Sequence, residues 1–258
     1  MTEGIKEFAR KHIKTLLFFA IVGAVGGLFL GFYTLDSYPD EIREAAYAEG
    51  LNDILIGIIT AVQSAGYGFV LGAIGIAIAE HIGLFKNERS ITPRPLIAAI
   101  AVAVATGVLI ILPDLLVFNN YSEVIRDSYA TKPTLVYILA SVLYGGVIEE
   151  VMLRLFMLSL VALVLLKLLG KGADAPTPRM LAVANVIAAL LFAAGHLPAT
   201  AIMIGLTPMT VLRCFLLNGG AGLLFGRLYY RHGLRYAMIA HAGSHVVSNL
   251  IWVLLIQA

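Results

Sequence analysis

The sequence predicts an all-α, polytopic membrane protein: a bundle of about seven to eight transmembrane helices with a cytoplasmic N-terminus. Three observations carry this. Of 258 residues, 60% are hydrophobic and 13% charged, whereas a soluble domain is nearer half apolar and a quarter charged; mean hydropathy is +0.90. Several apolar runs approach or exceed the ~20 residues that cross a bilayer as a helix. The basic residues collect in alternate loops, the pattern of membrane topology and not of nucleic-acid binding.

Residues Met1–Lys14 carry Lys6, Arg10, Lys11 and Lys14, and an apolar segment follows from about Thr15 to Leu35. A signal peptide shares this order, but the run is long and ends in FYTLDSYPD without a small-x-small cleavage site, so it reads as a retained first span. The stretch Ser37–Asp53 is acidic. A second span runs from about Ile54 to Ala79, and a third from after Pro95 to near Val117, with Pro113 and Asp114 at its far end. A mixed loop, Phe118–Pro133, leads to a central apolar run from about Thr134 to Gly170. At 1.5 Å per residue that run is roughly 55 Å long as one straight α-helix, against a hydrocarbon core of ~30 Å. It must tilt, extend into the cytoplasm or break. Gly145-Gly146 is the expected breaking point, and a re-entrant break there would raise the count to eight. Further spans lie near Met180–Ile204, Met209–Tyr229 and Leu234–Ile256.

With the N-terminus inside, the inner loops hold Lys6, Arg10, Lys11, Lys14, Lys86, Arg89, Arg94, Lys167, Lys171, Arg179, Arg227, Arg231 and Arg235. The outer loops hold Arg43, Arg126 and Lys132. This follows the positive-inside rule. Gly27/Gly31, Gly68/Gly72 and Gly222/Gly226 have the small-xxx-small spacing that lets helices approach in lipid, read here as packing within the chain. The single cysteine, Cys214, excludes an intramolecular disulfide and reads as a small packing residue.

Within the central run, YGGVIEEVMLRL (Tyr144–Leu155) places Glu149, Glu150 and Arg154 as the only charges before Lys167. Ionisable groups at membrane depth are costly and usually face a protein interior or a watery cavity. On a helix, Glu150 and Arg154 are four apart and can pair, while Glu149 is turned roughly 100° away. Three more polar sites lie in apolar surroundings. LLFAAGHLP brings His196 one turn after Phe192. MIAHAGSHVVSN puts His241, His245 and Asn249 on one helix face at four-residue steps. Arg213 and Asn218 share the preceding span and read as structural.

Such groups support hydrolysis. A buried carboxylate beside a histidine can take a proton from water, two adjacent glutamates with different partners can differ in protonation, and a neutral His or Asn can donate to an oxyanion. The reading is of a site without a cofactor. Zinc is the rival, because two His and one Glu with an open position form a hydrolytic zinc pattern, although the HExxH helix motif is absent.

Taken in order, these motifs resemble the CPBP family of intramembrane proteases, also called the ABI or type II CAAX prenyl endopeptidase family. EExxxR matches Glu149-Glu150 through Arg154, and FxxxH matches Phe192 through His196. A glycine-rich stretch, Gly219 to Gly226, precedes the last motif, HxxxN or HxxxD. Its usual context aligns the motif histidine with His241, and there this sequence departs: the residue four on is His245. A register one turn later, His245 with Asn249, fits by spacing. The resemblance covers about Thr134–Leu255, leaving residues 1–133, a basic segment and three spans, without a motif match.

The resemblance implies a glutamate-dependent endopeptidase whose site is sunk in the membrane. Glu149 would be the general base on water, helped by His196. Glu150 would orient His196 or pair with Arg154. His241 and its neighbour one turn on, His245 or Asn249, would stabilise the oxyanion, with Phe192 in support. The implied partners are the lipid bilayer and a peptide substrate, either a prenylated CAAX peptide or another small membrane peptide, with no nucleic acid. Compact loops and the lack of a recognisable organelle signal point to a multi-pass protein of a prokaryotic cell membrane. The competing reading is a non-catalytic scaffold or bacteriocin self-immunity protein that keeps the family fold. A proton-coupled transporter is a third, disfavoured by the lack of a second, related half.

Overall fold

A computed structural model of the chain describes residues 3–86 and 90–256. Arg89, counted above among the inner basic residues, lies outside the described residues. Among the described residues, seven helices are long and apolar enough to cross a membrane: Glu3–Asp36, Asp53–His81, Pro93–Asn120, Leu135–Leu169, Pro178–Met203, Pro208–His232 and Leu234–Leu254. They are called here the first to seventh spans, and they make the chain a multi-pass membrane protein. The acidic loop after the first span holds a short helix, Asp40–Ala48, and the loop before the fourth holds another, Glu123–Ser128.

Local chemistry starts these helices where they start. Asn52 Oδ1 accepts from the Leu55 amide at 3.0 Å, and Thr134 Oγ1 from the Tyr137 amide at 3.1 Å. The third, fifth and sixth spans each open on a Thr-Pro pair, Thr92-Pro93, Thr177-Pro178 and Thr207-Pro208. Thr177 and Thr207 each satisfy an orphan amide, of Met180 and Thr210, whereas the Thr92 hydroxyl meets that of Tyr236; a proline at the first helical position has no amide to lose. Gly233, at φ +104°, makes the tight turn between the sixth and seventh spans, a conformation that favours glycine.

The bundle is organised inside-out relative to a soluble protein. Large apolar side chains such as Val62, Leu135 and Leu168 stand outward, each at least 70% exposed. The buried set includes Asp114, Glu150, Arg154, Ser159, Asn185, His241, Ser244, Ser248 and Asn249. Small residues let the backbones close. A Cβ on Gly31 would lie 2.6 Å from Gly57 Cα, and one on Gly68 2.5 Å from the Phe19 carbonyl oxygen. Gly222 faces Ala189 and Arg154. All three glycine pairs thus meet other spans of the same chain. The first span is integral to the bundle, because Gly26 packs against the Leu143–Tyr144 backbone of the fourth.

Contacts at the two ends show the alternating course of the chain. At the end carrying the N-terminus, Lys11 pairs with Glu80 at 2.6 Å, Lys86 donates to the Arg231 carbonyl, and the Thr92 amide donates to the Tyr236 hydroxyl at 2.9 Å. At the other end, Arg213 grips Asp114 through two bonds of 2.6 Å, and the Tyr129 hydroxyl donates to the same carboxylate at 2.8 Å. Burial, reinforced by Asp114, pushes the Tyr129 phenol well above its ordinary value, so it serves as a neutral donor. Tyr129 also packs edge-on against Trp252. Arg213 is therefore a structural tie between the third and sixth spans. Asn218 donates to the Cys214 carbonyl at 3.0 Å, and buried Cys214 donates to the Ala193 carbonyl, consistent with packing.

The fourth span does not break at Gly145-Gly146. It runs from Leu135 to Leu169 as one helix, with π-type winding over Ser141–Glu149 and Val151–Leu158. Such i→i+5 winding is rare, clusters at functional sites and places more residues in each turn. The run is wound more widely there and is not interrupted. The glycine pair serves closeness instead: a Cβ on Gly146 would lie 2.6 Å from Ala242 Cβ of the seventh span.

Candidate active site

The helix that carries Glu149 and Glu150 points them into different surroundings. Glu150 is fully buried. Its Oε1 meets Arg154 Nη1 at 2.9 Å, the i,i+4 pair expected from the spacing, and also His241 Nδ1 at 2.8 Å. Its Oε2 has no hydrogen-bond partner among the described residues. Arg154, equally buried, lies over two rings, with Cζ 4.7 Å from the Phe192 centroid and 5.5 Å from that of Phe225. Its Nη2 donates to the Gly222 carbonyl at 3.3 Å. The guanidinium is thus held by an acid, a carbonyl and two aromatic faces, which is what a charge needs in order to sit inside a membrane bundle.

Glu149 is more open, with its side chain 17% exposed, and it lies between two imidazoles. His196 Nε2 is 4.0 Å from Oε1, and His241 Nε2 is 3.8 Å from Oε2. These gaps are too long for direct hydrogen bonds and suit a bridging water. His196 stands at the joint between two helical segments of the fifth span, where its side chain is 35% exposed. Its Nδ1 lies 2.8 Å from the Phe192 carbonyl oxygen, and the ring packs edge-on against Phe192 at 4.8 Å.

The seventh span contributes a column of rings. His241 is stacked between Phe225, at 4.4 Å and 20°, and His245, at 5.0 Å and 27°. Gly145 makes room for His245, since a Cβ there would lie 2.9 Å from His245 Nε2 and 3.8 Å from Glu149 Oε2. Asn249 turns away: its Nδ2 donates to the His245 carbonyl at 2.7 Å, and among the described residues no hydrogen bond or ion pair joins it to either glutamate.

Glu149, Glu150, Arg154, Phe192, His196, His241 and His245 therefore come together from three spans, the fourth, fifth and seventh. Glu150 meets Arg154 and His241 and not His196. Phe225 completes the cluster and was missed from the sequence, although it sits inside the glycine-rich stretch singled out there. Among the described residues, no group of three or more His, Cys, Asp or Glu is arranged to hold a metal ion.

Donor logic sets the ring tautomers. A carbonyl only accepts, so His196 Nδ1 carries the proton it gives to Phe192. A carboxylate facing Arg154 also accepts, so His241 Nδ1 donates to Glu150. In the neutral rings both Nε2 atoms then turn lone pairs toward Glu149.

No match was found among curated proteins or among solved structures. Residues 131–247, the stretch that holds both glutamates and all three clustered histidines, match the family model described as Rce1-like, type II CAAX prenyl endopeptidase, so over that stretch the chain is similar to the family its motifs resemble.

Proposed function

We propose that the protein is an intramembrane endopeptidase that hydrolyses membrane-associated peptides with a water activated by Glu149. The observation that supports this best is the setting of Glu149, half-open between two Nε2 atoms at 4.0 and 3.8 Å. A water held among these acceptors donates its hydrogens to the carboxylate and to one imidazole and turns a lone pair outward. As its oxygen bonds to the scissile carbonyl carbon, the proton passes to Glu149 and the carbonyl electrons move to the oxygen. Collapse breaks the C–N bond, and Glu149 returns the proton to the leaving nitrogen.

Glu150 works differently. Sealed with Arg154, it holds the His241 ring and its tautomer, as a buried carboxylate does beneath a catalytic histidine. That role makes His241 Nε2 an acceptor and favours His245, next to Gly145, as the N–H donor to the oxyanion. The positive-inside pattern supports a cytoplasmic N-terminal end for the bundle, and we read the membrane as that of a prokaryotic cell. Prenylated CAAX-type peptides and other small membrane peptides are the substrate classes to test first.

The test is cleavage of a fluorogenic peptide library, with and without a prenyl group, by detergent-purified protein. Wild-type protein should cleave, and Glu149→Ala should not while melting normally. Cleavage that survives a chelator supports water activated by glutamate and histidine alone; loss on chelation assigns His196, His241 and Glu149 to a metal. A Glu149→Ala protein that keeps both its fold and its biological function would overturn the protease reading in favour of a scaffold.

A further inference from the structure

We infer that Phe225 is a positioning residue whose flat face sets the plane of the His241 ring. This deepens the proposed protease reading and rests on it for its catalytic consequence. The geometry leaves His241 few ways to turn. Its Nδ1 is held by Glu150 at 2.8 Å, a contact that still lets the ring swing about the bond. What blocks the swing is the sandwich: Phe225 lies nearly parallel on one face and His245 on the other. Phe192 adds an edge at 6.0 Å.

Phe225 is itself immobile, being 1% exposed and packed in the main apolar core with Leu155, Leu158 and Ala221. Its face also takes the Arg154 guanidinium at 5.5 Å. One ring therefore bears on both partners of Glu150. Offset stacking has a preferred geometry, which an aliphatic side chain of similar bulk lacks. Without the ring face, His241 can keep its bond to Glu150 while Nε2 leaves its direction toward Glu149. A misplacement of this kind costs about a hundredfold in rate at the upper end.

The test uses the full-length protein in detergent. Phe225→Leu keeps most of the volume and removes the face; Phe225→Tyr keeps the face. Two readouts run together: kcat and KM on the best peptide, and long-range 15N–1H spectra of histidine-labelled protein, assigned through His241→Gln. Wild type should show His241 as the Nδ1–H tautomer. Phe225→Leu should lower kcat at least tenfold with KM within twofold, and should shift and broaden the His241 ring signals as the ring gains motion about its retained Nδ1–H bond to Glu150. Phe225→Tyr should restore both.

The inference is overturned if the His241 signals of Phe225→Leu match wild type, or if they move and kcat does not. It is also overturned if Phe225→Tyr, folded, behaves as Phe225→Leu. If wild-type protein cleaves no peptide while Phe225→Leu still shows the spectral change, the protease reading is defeated and the positioning of His241 stands.

Discussion

Replacing Arg154 with methionine should destabilise the protein far more than an ordinary core substitution. Methionine fills much of the space between Phe192 and Phe225 but removes the charge. Three interactions go with it: the 2.9 Å contact to Glu150, the bond to the Gly222 carbonyl and the two ring contacts, the last worth about 0.5–2 kcal/mol. The larger effect falls on Glu150, fully buried with Oε2 already unpartnered and now without a counter-charge. Breaking a buried pair by removing one partner costs about 3–5 kcal/mol. In a chain of this size that is roughly 6–20 °C in melting temperature. The assay is thermal unfolding of detergent-purified protein, followed by tryptophan fluorescence or scattering. The control is Glu150→Gln/Arg154→Met, whose neutral amide can still accept from His241 Nδ1. Removing both charges should bring stability back to within about 1–2 kcal/mol of wild type. An Arg154→Met protein melting within about 3 °C of wild type, or a double variant no better than the single, would refute the claim that an uncompensated Glu150 is what matters.

Four further outcomes follow from other contacts. Gly146→Ala must push the fourth and seventh spans apart, because its Cβ meets Ala242 main-chain atoms at 2.8–3.0 Å; it should lower melting more than Gly145→Ala, whose Cβ meets only the tip of His245 and which should lower kcat instead. Asp114→Ala strands Arg213 and removes the acceptor of Tyr129, for a loss of about 3–5 kcal/mol, and Asp114→Ala/Arg213→Met should lose less than the sum of its parts. Tyr229→Phe and Ser159→Ala each break the same buried 2.7 Å hydrogen bond; each should cost about 1–2 kcal/mol, with clear non-additivity in the double variant. Ala48→Cys in a Cys214→Ala background should react in whole cells with an impermeant maleimide and Gly172→Cys should not, with the reverse result placing the N-terminus outside.

Hydropathy made the seven spans legible, because it is a property of consecutive residues. The Glu150–Arg154 pair was legible for the same reason, being separated by one helical turn. Glu150–His241 was not, as the partners are 91 residues apart and only packing of the fourth against the seventh span brings them together. Arg213 appeared without a partner, and Asp114 as a mere marker of a span end. Yet their alternating course puts both near the same end of the bundle, and a charge buried there needs a counter-charge at its own depth. That depth argument would have found the pair. The expectation at Gly145-Gly146 failed on physical grounds: glycine permits a break but does not compel one, and here its missing side chains are used by Ala242 and His245. Phe225 left no signal of its own, since a phenylalanine in an apolar helix looks the same whether it faces lipid or a buried histidine ring.

The wide winding of the fourth span makes chain length, as well as residue identity, part of the site. A helix that holds more residues per turn between Ser141 and Leu158 behaves like one carrying surplus residues. Removing a single residue between Ser141 and Ile148 would let it relax to ordinary α winding while leaving its hydropathy almost unchanged. Losing a residue and tightening the winding act in opposite senses, so everything downstream would turn by less than the roughly 100° that one residue spans in an α-helix. Glu149 would leave its place between the imidazoles, and Glu150 could not replace it without leaving His241. Single-residue gaps upstream of the glutamates are therefore expected to be far more damaging than most substitutions there, and related chains should differ in this segment by exchange of residues and not by loss of one.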